Sequence, residues 1–322
     1  MESRIWRNPP EQPTGQPTIS PVNDESNLPI ERAWPWVLRV AWFGLAPTLG
    51  QVLTAATDTR STPVTWTVLA VSAVLWAAGF LATLIPHPIG LVTVRTAALA
   101  SIGMCVWGAL ALNDADKPRT GLLALGLVWT VATAGIVLHP ETGHFAVNGP
   151  AYPNERRFLL RPAAVVQGVI VPLSVVLVGV ASASGPLLLA ARQWIAGVVA
   201  VAVGAPLAVV LARSLFALAR RFVVFVPAGF VLHDLAVLRE PVLFRRQSVE
   251  AIGAASADTD ALDLTLGAAG LATEIRFREK VELTLRDGRS GFREGRSARF
   301  LFVPTLPGRM LGEARRRNFP ML

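Results

Sequence analysis

Five arginines stand close together near the end of this 322-residue chain, namely Arg286, Arg289, Arg293, Arg296 and Arg299. Glycines at positions 288, 291 and 295 separate them. The guanidinium group binds phosphate and carboxylate through paired hydrogen bonds, and glycine allows the backbone to bring several such groups to one anion. The segment therefore predicts a mobile loop that binds anionic phospholipid headgroups or an unidentified protein partner.

The alternative for this segment is an ordinary solvated loop, because Asp287 and Glu294 neutralise part of its charge. Phe292 is the only aromatic residue among the arginines. Proteins that bind single-stranded nucleic acid usually stack several aromatic side chains on the bases. The sequence therefore argues against nucleic acid as the partner.

Two further arginines, Arg39 and Arg95, lie inside long apolar runs. One hypothesis is that they form an anion site in a cavity between helices. The other is that each side chain extends from the cytoplasmic end of its helix to the headgroups, as long basic side chains do. The sequence favours the second interpretation and leaves the anion site as its alternative.

The sequence His-Pro-Glu-Thr-Gly-His at residues 139–144 is a third candidate. His139, Glu141 and His144 carry groups that bind zinc, which takes three or four ligands. The metalloprotease motif needs two histidines four residues apart on a helix, whereas Pro140 and Gly143 predict that no helix forms here. We therefore expect an interfacial loop over 139–161, without a metal or a cofactor. No other catalytic motif is present.

Six apolar runs must position these residues. Apolar residues make up 52% of the chain and charged residues only 16%, against about 25% charged in a soluble domain. About 20 apolar residues are enough for one helix to cross a bilayer. The six predicted spans are Trp34–Leu53, Val64–Leu84, Ile89–Leu112, Gly121–Leu138, Pro162–Ala183 and Trp194–Leu218.

The basic residues beside the spans predict that both termini are cytoplasmic, because cytoplasmic loops carry an excess of Arg and Lys. With that orientation eight basic residues lie inside and four lie outside. The inner set is Arg4, Arg7, Arg32, Arg156, Arg157, Arg161, Arg220 and Arg221, and the outer set is Arg60, Lys117, Arg119 and Arg192. Arginine greatly outnumbers lysine, and alanine, valine and glycine are frequent, which suggests a GC-rich bacterial genome. The expected location is a bacterial inner membrane, with the lipid bilayer as an obligate partner.

After residue 221 the pattern changes to short runs of β-forming residues separated by turns. The candidate strands are Phe222–Val226, Phe230–His233, Val242–Phe244, Leu262–Leu266, Thr273–Phe277, Val281–Leu285 and Arg299–Val303. Residues 309–317 predict a final helix with Met310, Leu311 and Ala314 on one face. The predicted organisation is a proline-rich disordered tail (1–33), a six-helix membrane domain (34–221), a β domain (222–317) and a short tail (318–322).

This order of strands followed by one helix resembles the pleckstrin-homology-like (PH-like) domains that follow membrane helices in uncharacterised bacterial proteins. The resemblance covers residues 222–317 and includes the segment Val-Pro-Ala-Gly-Phe-Val-Leu-His-Asp at 226–234 as the first hairpin. It implies a small, mainly β barrel with a C-terminal helix that acts as a binding or assembly module. It implies no ligand residues.

The sequence-based expectation is thus a non-enzymatic membrane scaffold or regulator that presents a basic cytoplasmic module. Residues 213–322 hold eighteen Arg and Lys against twelve Asp and Glu, which is six of the chain's net charge of +8. The first alternative is a small transporter or channel that the module gates, with Arg39 and Arg95 in its path. The second is a membrane enzyme that uses the segment from His139 to His144.

Overall fold

The computed structural model describes residues 29–113, 120–288 and 291–322. The helices are α1 (Pro29–Thr57), α2 (Thr62–Leu84), α3 (Pro88–Asn113), α4 (Thr120–Leu138), α5 (Pro140–Asn148), α6 (Val171–Ala190), α7 (Trp194–Leu218) and α8 (Pro307–Arg316). The strands are β1 (Arg156–Leu159), β2 (Phe222–Val226), β3 (Gly229–His233), β4 (Val242–Arg245), β5 (Val249–Ala254), β6 (Leu262–Asp263), β7 (Thr273–Asp287) and β8 (Gly291–Phe302). Most of the predicted N-terminal tail, and Lys117 and Arg119 of the outer set, lie outside the described residues.

Five helices are long and apolar enough to cross a membrane: α2, α3, α4, α6 with the turn before it, and α7. The prediction of membrane helices is confirmed for these five. α1 is long enough to cross a membrane but is not among the helices that are also sufficiently apolar. Arg39, Pro47 and Gln51 interrupt the apolar sequence of α1. They are tolerated because α1 packs against α2, α3 and α4, so its neighbours cover much of its surface.

Tryptophans fill the space between the first four helices. The ring of Trp42 in α1 packs directly on Gly79 of α2, and the ring of Trp129 in α4 packs on Gly44 of α1. Trp42 Nε1 donates to the carbonyl oxygen of Trp76 at 3.0 Å, and Trp76 Nε1 donates to that of Trp42 at 3.1 Å. Small residues therefore create the room in which large rings join the helices.

α6 and α7 form a helical hairpin that packs against α2 and α3. Gly204 of α7 lies against the carbonyl oxygen of Ala181 in α6, which brings the two backbones close together. One π-helical turn, Val166–Ile170, precedes α6. Pro172 explains this turn, because proline has no N–H and its ring would clash with the carbonyl four residues earlier in a regular helix.

The connection between α4 and α6 is ordered, contrary to the predicted irregular loop. Pro140 occupies the first turn of α5, where a helix does not need its N–H, so it starts a helix instead of breaking one. His139 caps this helix by accepting a hydrogen bond from the Glu141 N–H at 3.3 Å. The strand β1 then pairs antiparallel with β2. The β domain thus includes a strand that comes well before the predicted boundary at residue 222.

The β domain consists of two four-stranded sheets, in the orders β1-β2-β3-β4 and β5-β7-β8-β6. These sheets do not close into the barrel that the resemblance implies. Two predicted strands merge into β7, whose register shifts between Arg276 and Val281. The strand β5 was not predicted, because its sequence Val-Glu-Ala-Ile-Gly-Ala has few large β-forming side chains.

Phenylalanines and the final helix close the core of this domain. The ring of Phe244 lies between two others: its centroid is 4.9 Å from that of Phe230 and 4.8 Å from that of Phe277. Met310 and Ala314 of α8 are fully buried, which confirms the predicted apolar face. Residues 318–322, predicted as a tail, belong to the fold: Ile252 N donates to the Pro320 oxygen at 2.9 Å, and Leu322 N donates to the Ile252 oxygen at 3.0 Å.

Candidate functional site

The arginine-rich segment forms a β-ribbon and not the predicted loop. Residues 281–287 of β7 pair with residues 291–297 of β8 across a tight turn that contains Gly288 at φ 62°. Arg289 lies outside the described residues. Strand pairing fixes the other four arginines on a regular frame, so the site is a surface of set geometry.

The four described arginines of the ribbon differ in their partners. Arg299 donates to Asp260 at 2.8 Å, and Arg296 lies 3.5 Å from Glu282. Arg286 and Arg293 are exposed and make no ion pair within the described parts of the chain. The charges available to a ligand near the turn of the ribbon are therefore those of Arg286 and Arg293. Arg286 is paired with Phe292 and Arg293 with Leu285, so the two arginine side chains leave opposite faces of the ribbon.

A further arginine that the sequence analysis missed joins this surface. The Arg239 guanidinium lies 5.3 Å from the ring centroid of Phe292, which is 48% exposed. This cation–π contact places the charge beside the ribbon. Nothing local could have revealed it, because Arg239 and Phe292 are far apart in sequence. We call the exposed tip of the ribbon the cationic patch; it consists of Arg239, Arg286 and Phe292 on one face and Arg293 on the other.

Backbone hydrogen bonds hold the ribbon to the turn that follows β3. Arg286 N donates to the Val237 oxygen at 2.7 Å, and Arg239 N donates to the Thr284 oxygen at 3.0 Å. Leu238 forms an isolated antiparallel bridge with Leu285, and both side chains are buried. The position of the patch is therefore set by residues 237–239.

This turn is attached to the end of α7 by a buried salt bridge. Arg221, three residues after Leu218, donates from Nε and Nη2 to the two carboxylate oxygens of Asp234 at 2.8 and 2.7 Å. Both side chains are almost inaccessible, at 3% and 2% exposed. The Asp234 carbonyl also accepts hydrogen bonds from Val237 and Leu238. Arg221, predicted from its position to be one of the charges beside the membrane, is buried in the structure and serves as an internal anchor.

Arg39 and Arg95 do not form a pair in the structure. Arg39 Nε donates to the Thr83 oxygen at 3.4 Å, and its guanidinium lies 5.1 Å from the centroid of Trp36. Arg95 extends instead toward Gly143 of α5, and its Nε is buried with no hydrogen-bond partner among the described residues. Their neighbours belong to different helix pairs, so no shared anion site is formed.

The histidine-containing segment is used for packing and docking. Glu141 accepts a hydrogen bond from Arg309 of α8 at 2.8 Å, which links α5 to the last helix of the β domain. Burial lowers the pKa of His144 to about 4, and the positive charges of Arg309 and Arg156 add to this effect. Within the described residues, no group of three or more His, Cys, Asp or Glu is placed to hold a metal ion.

A second buried carboxylate lies in β7. Glu274 is inaccessible and accepts a hydrogen bond from Arg276 at 2.6 Å. Burial alone would raise the pKa of Glu274, but hydrogen bonds from Arg276 and Thr259 and the charges of Arg276 and Arg299 outweigh it and lower the pKa. Glu274 and its neighbour Ile275 are both buried although successive side chains of a strand point to opposite faces, so the burial of Glu274 is a tertiary effect that a strand pattern does not reveal.

Comparison with known proteins gives no relative from which a function could be transferred: no family model, curated protein or solved structure matches this chain.

Proposed function

We propose that this protein is a non-enzymatic integral membrane protein that presents the cationic patch to anionic phospholipid headgroups. The patch would hold the β domain in a defined position on the leaflet from which α7 emerges. In this way the protein would serve as a scaffold or regulator in a bacterial inner membrane, for example in envelope biogenesis.

The observation that carries the proposal is the chain of contacts from α7 to the patch. Arg221, three residues after the end of α7, binds the carboxylate of Asp234. The Asp234 carbonyl oxygen accepts a hydrogen bond from Val237 N, and the Val237 carbonyl oxygen accepts one from Arg286 N. Each link is a hydrogen bond, so the patch is fixed close to the membrane end of the β domain. A basic residue near an anionic leaflet contributes about 1 kcal/mol.

The topology supports the proposed orientation. β1 comes before α6 and β2 comes after α7, yet the two strands pair, so the ends of this hairpin lie on one side. We propose that α1 is a sixth crossing, since it is 29 residues long and packs along α2 and α4. With six crossings and the positive-inside rule, both termini would be cytoplasmic. The two sheets and α8 would then be an open variant of a PH-like module.

The transporter alternative has less support. Leu38, Trp42 and Ala97 in the first four helices are each at most 1% exposed. A cavity of about 300 Å³ between α1, α2 and α3 is lined by apolar residues and two serines, without a charged side chain. Arg39 and Arg95 have separate neighbours, and neither lines the cavities of about 700 and 300 Å³ that open beside α1. The enzyme alternative also has less support, because Glu141 is engaged by Arg309.

A protein partner remains the second candidate for the patch. Phe292 is half exposed beside Arg239. Exposed aromatic and arginine side chains are enriched at protein interfaces. A protein with an acidic surface could bind the same arginines and Phe292. The experiment must therefore distinguish lipid binding from protein binding.

The test uses the full chain in a neutral detergent, titrated with phosphatidylglycerol or phosphatidylcholine, with bound lipid counted by native mass spectrometry. We expect Arg286→Gln combined with Arg293→Gln to weaken phosphatidylglycerol binding at the tightest site by roughly tenfold to thirtyfold, which corresponds to about 2 kcal/mol for two charges. Phosphatidylcholine binding should not change.

The matched control is Arg299→Gln, which removes a charge from β8, the strand that carries Arg293. Arg299 already has Asp260 as its partner, so its loss should change lipid affinity less than threefold. Equal affinity of the double variant and the wild type for phosphatidylglycerol would overturn the lipid proposal and leave the protein partner as the better candidate.

A further inference from the structure

Exposed leucines of the β domain lie at both points where the α6–α7 hairpin leaves the helical region. Leu266 and Leu271 lie beside the start of the hairpin and are 48% and 53% exposed. Leu235 lies beside its end and is 41% exposed. Single exposed leucines are common on protein surfaces, but these three lie beside the residues that begin and end an apolar hairpin. We call these three residues the apolar rim.

Hydrogen bonds fix the first loop of the rim to the residues before α6. Ala164 N donates to the Gly267 oxygen at 3.4 Å, and Arg161 Nη1 donates to the Ala269 oxygen at 3.3 Å. The membrane helix begins immediately afterwards, with Val165 67% exposed. Leu266 therefore directly precedes Gly267, whose carbonyl oxygen accepts a hydrogen bond from Ala164 in the first turn of this helix.

The backbone of this loop holds Leu266 outward. Leu266 has φ 56°, a left-handed conformation that side chains other than glycine rarely adopt. Thr265 N donates to Asp263 Oδ1 at 2.7 Å, and Gly267 N donates to Thr265 Oγ1 at 3.2 Å. These bonds on either side fix the turn, so the exposure of Leu266 is built into the fold.

The second loop of the rim is fixed at the other end of the hairpin. Leu235 follows Asp234, whose carboxylate binds Arg221 just after α7. His233 Nδ1 lies 2.8 Å from the carbonyl oxygen of Arg220. Because α6 and α7 pack along their length, both loops lie around one exit point from the bilayer.

We infer that the apolar rim inserts into the bilayer at the boundary between headgroups and acyl chains, around the cytoplasmic ends of α6 and α7. Apolar side chains gain free energy when they leave water for this boundary, and the lipids around the exposed valines of α6 are the nearest apolar phase. The rim would therefore fix the tilt of the β domain on the membrane. This inference depends on the apolar hairpin and not on the cationic patch, so it can hold even if headgroup binding fails.

The experiment places one cysteine at a time in the Cys105→Ala background, in the variants Leu235→Cys, Leu266→Cys and Leu271→Cys. Each full-length protein is labelled with the fluorophore NBD and reconstituted into liposomes. We expect blue-shifted emission, quenching by nitroxide groups attached near the lipid headgroups, and little quenching by aqueous iodide. Ala228→Cys is the matched control, since Ala228 is exposed at the opposite end of the β2–β3 hairpin. Its label should be quenched by iodide alone.

Iodide quenching of the rim labels equal to that at position 228 would overturn the inference. Labels shielded from both quenchers would also overturn it, because a protein surface would then cover the rim. The unmodified protein provides a second measurement that needs no variant. A lipid with a diazirine in its acyl chain should form adducts within residues 264–272, and adducts confined to the helices would contradict the inference.

Discussion

Arg221 and Asp234 form a two-point salt bridge, at 2.8 and 2.7 Å, that is closed to solvent at the junction of the membrane hairpin and the β domain. Arg221 Nη1 also lies 3.4 Å from the carbonyl oxygen of Arg161, just before the hairpin. One guanidinium group therefore contacts both ends of the hairpin and the turn that carries the cationic patch.

Asp234→Ala should destabilise the β domain by about 3–5 kcal/mol, because it leaves the Arg221 charge buried without a partner. Far-UV circular dichroism during urea unfolding in detergent measures this, since membrane helices resist urea and the β signal is lost first. Asp260→Ala removes the exposed partner of Arg299 and should cost less than 1 kcal/mol. Equal midpoints for the two variants would contradict the anchoring role.

The packing of α1 on α2 depends on the missing side chain of Gly79. A methyl group there would overlap the Trp42 ring, so Gly79→Ala should lower stability by about 1–3 kcal/mol. Gly103 of α3 has open space around its Cα, and Gly103→Ala should leave stability unchanged or raise it slightly. The two variants differ only in location. Thermal aggregation in detergent should separate them, and a Gly79→Ala protein as stable as the wild type would disprove this packing.

The pKa of His144, lowered to about 4, predicts a pH dependence of stability. Between pH 4 and pH 6.5 the unfolded chain binds a proton at this position while the folded chain does not. Protonation therefore favours unfolding, so the contribution is complete above pH 6.5 and is lost as the pH falls toward 4. The size is roughly 1.4 kcal/mol for each unit of pKa shift.

The variant His144→Gln isolates this effect from the carboxylates that titrate in the same range. We expect its unfolding midpoint to fall less than that of the wild type between pH 7 and pH 4.5. Parallel profiles for the two proteins would show that the His144 pKa is not lowered in the folded state.

The sequence predicted those features that depend on local pattern. Five apolar helices and most strands of the β domain follow from runs of apolar residues and from period-two alternation, which physical chemistry ties directly to structure. α1 contains the predicted span Trp34–Leu53, but Arg39 and Pro47 make it less apolar, and the structure shows that it packs against three other helices.

The rest depended on contacts between distant residues. Glycines 288, 291 and 295 indicated a loop, but the pairing of β7 with β8 overrides this local preference. The roles of Arg221 and Glu141 required Asp234 and Arg309, which no local pattern connects to them. The sequence predicted five arginines as one basic cluster, and for the four that the structure describes, only the structure separates Arg286 and Arg293 from the paired Arg296 and Arg299.

The central claim is that the cationic patch contacts anionic headgroups, and photocrosslinking tests it most directly. The full-length protein is reconstituted with phosphatidylglycerol that carries a diazirine in its headgroup, irradiated and digested, and the adducts are located by mass spectrometry. The account predicts adducts at Arg239 and within residues 284–293, with far fewer when the same group is attached to phosphatidylcholine. Adducts found only on the helices, or equal labelling of the ribbon by both lipids, would contradict it.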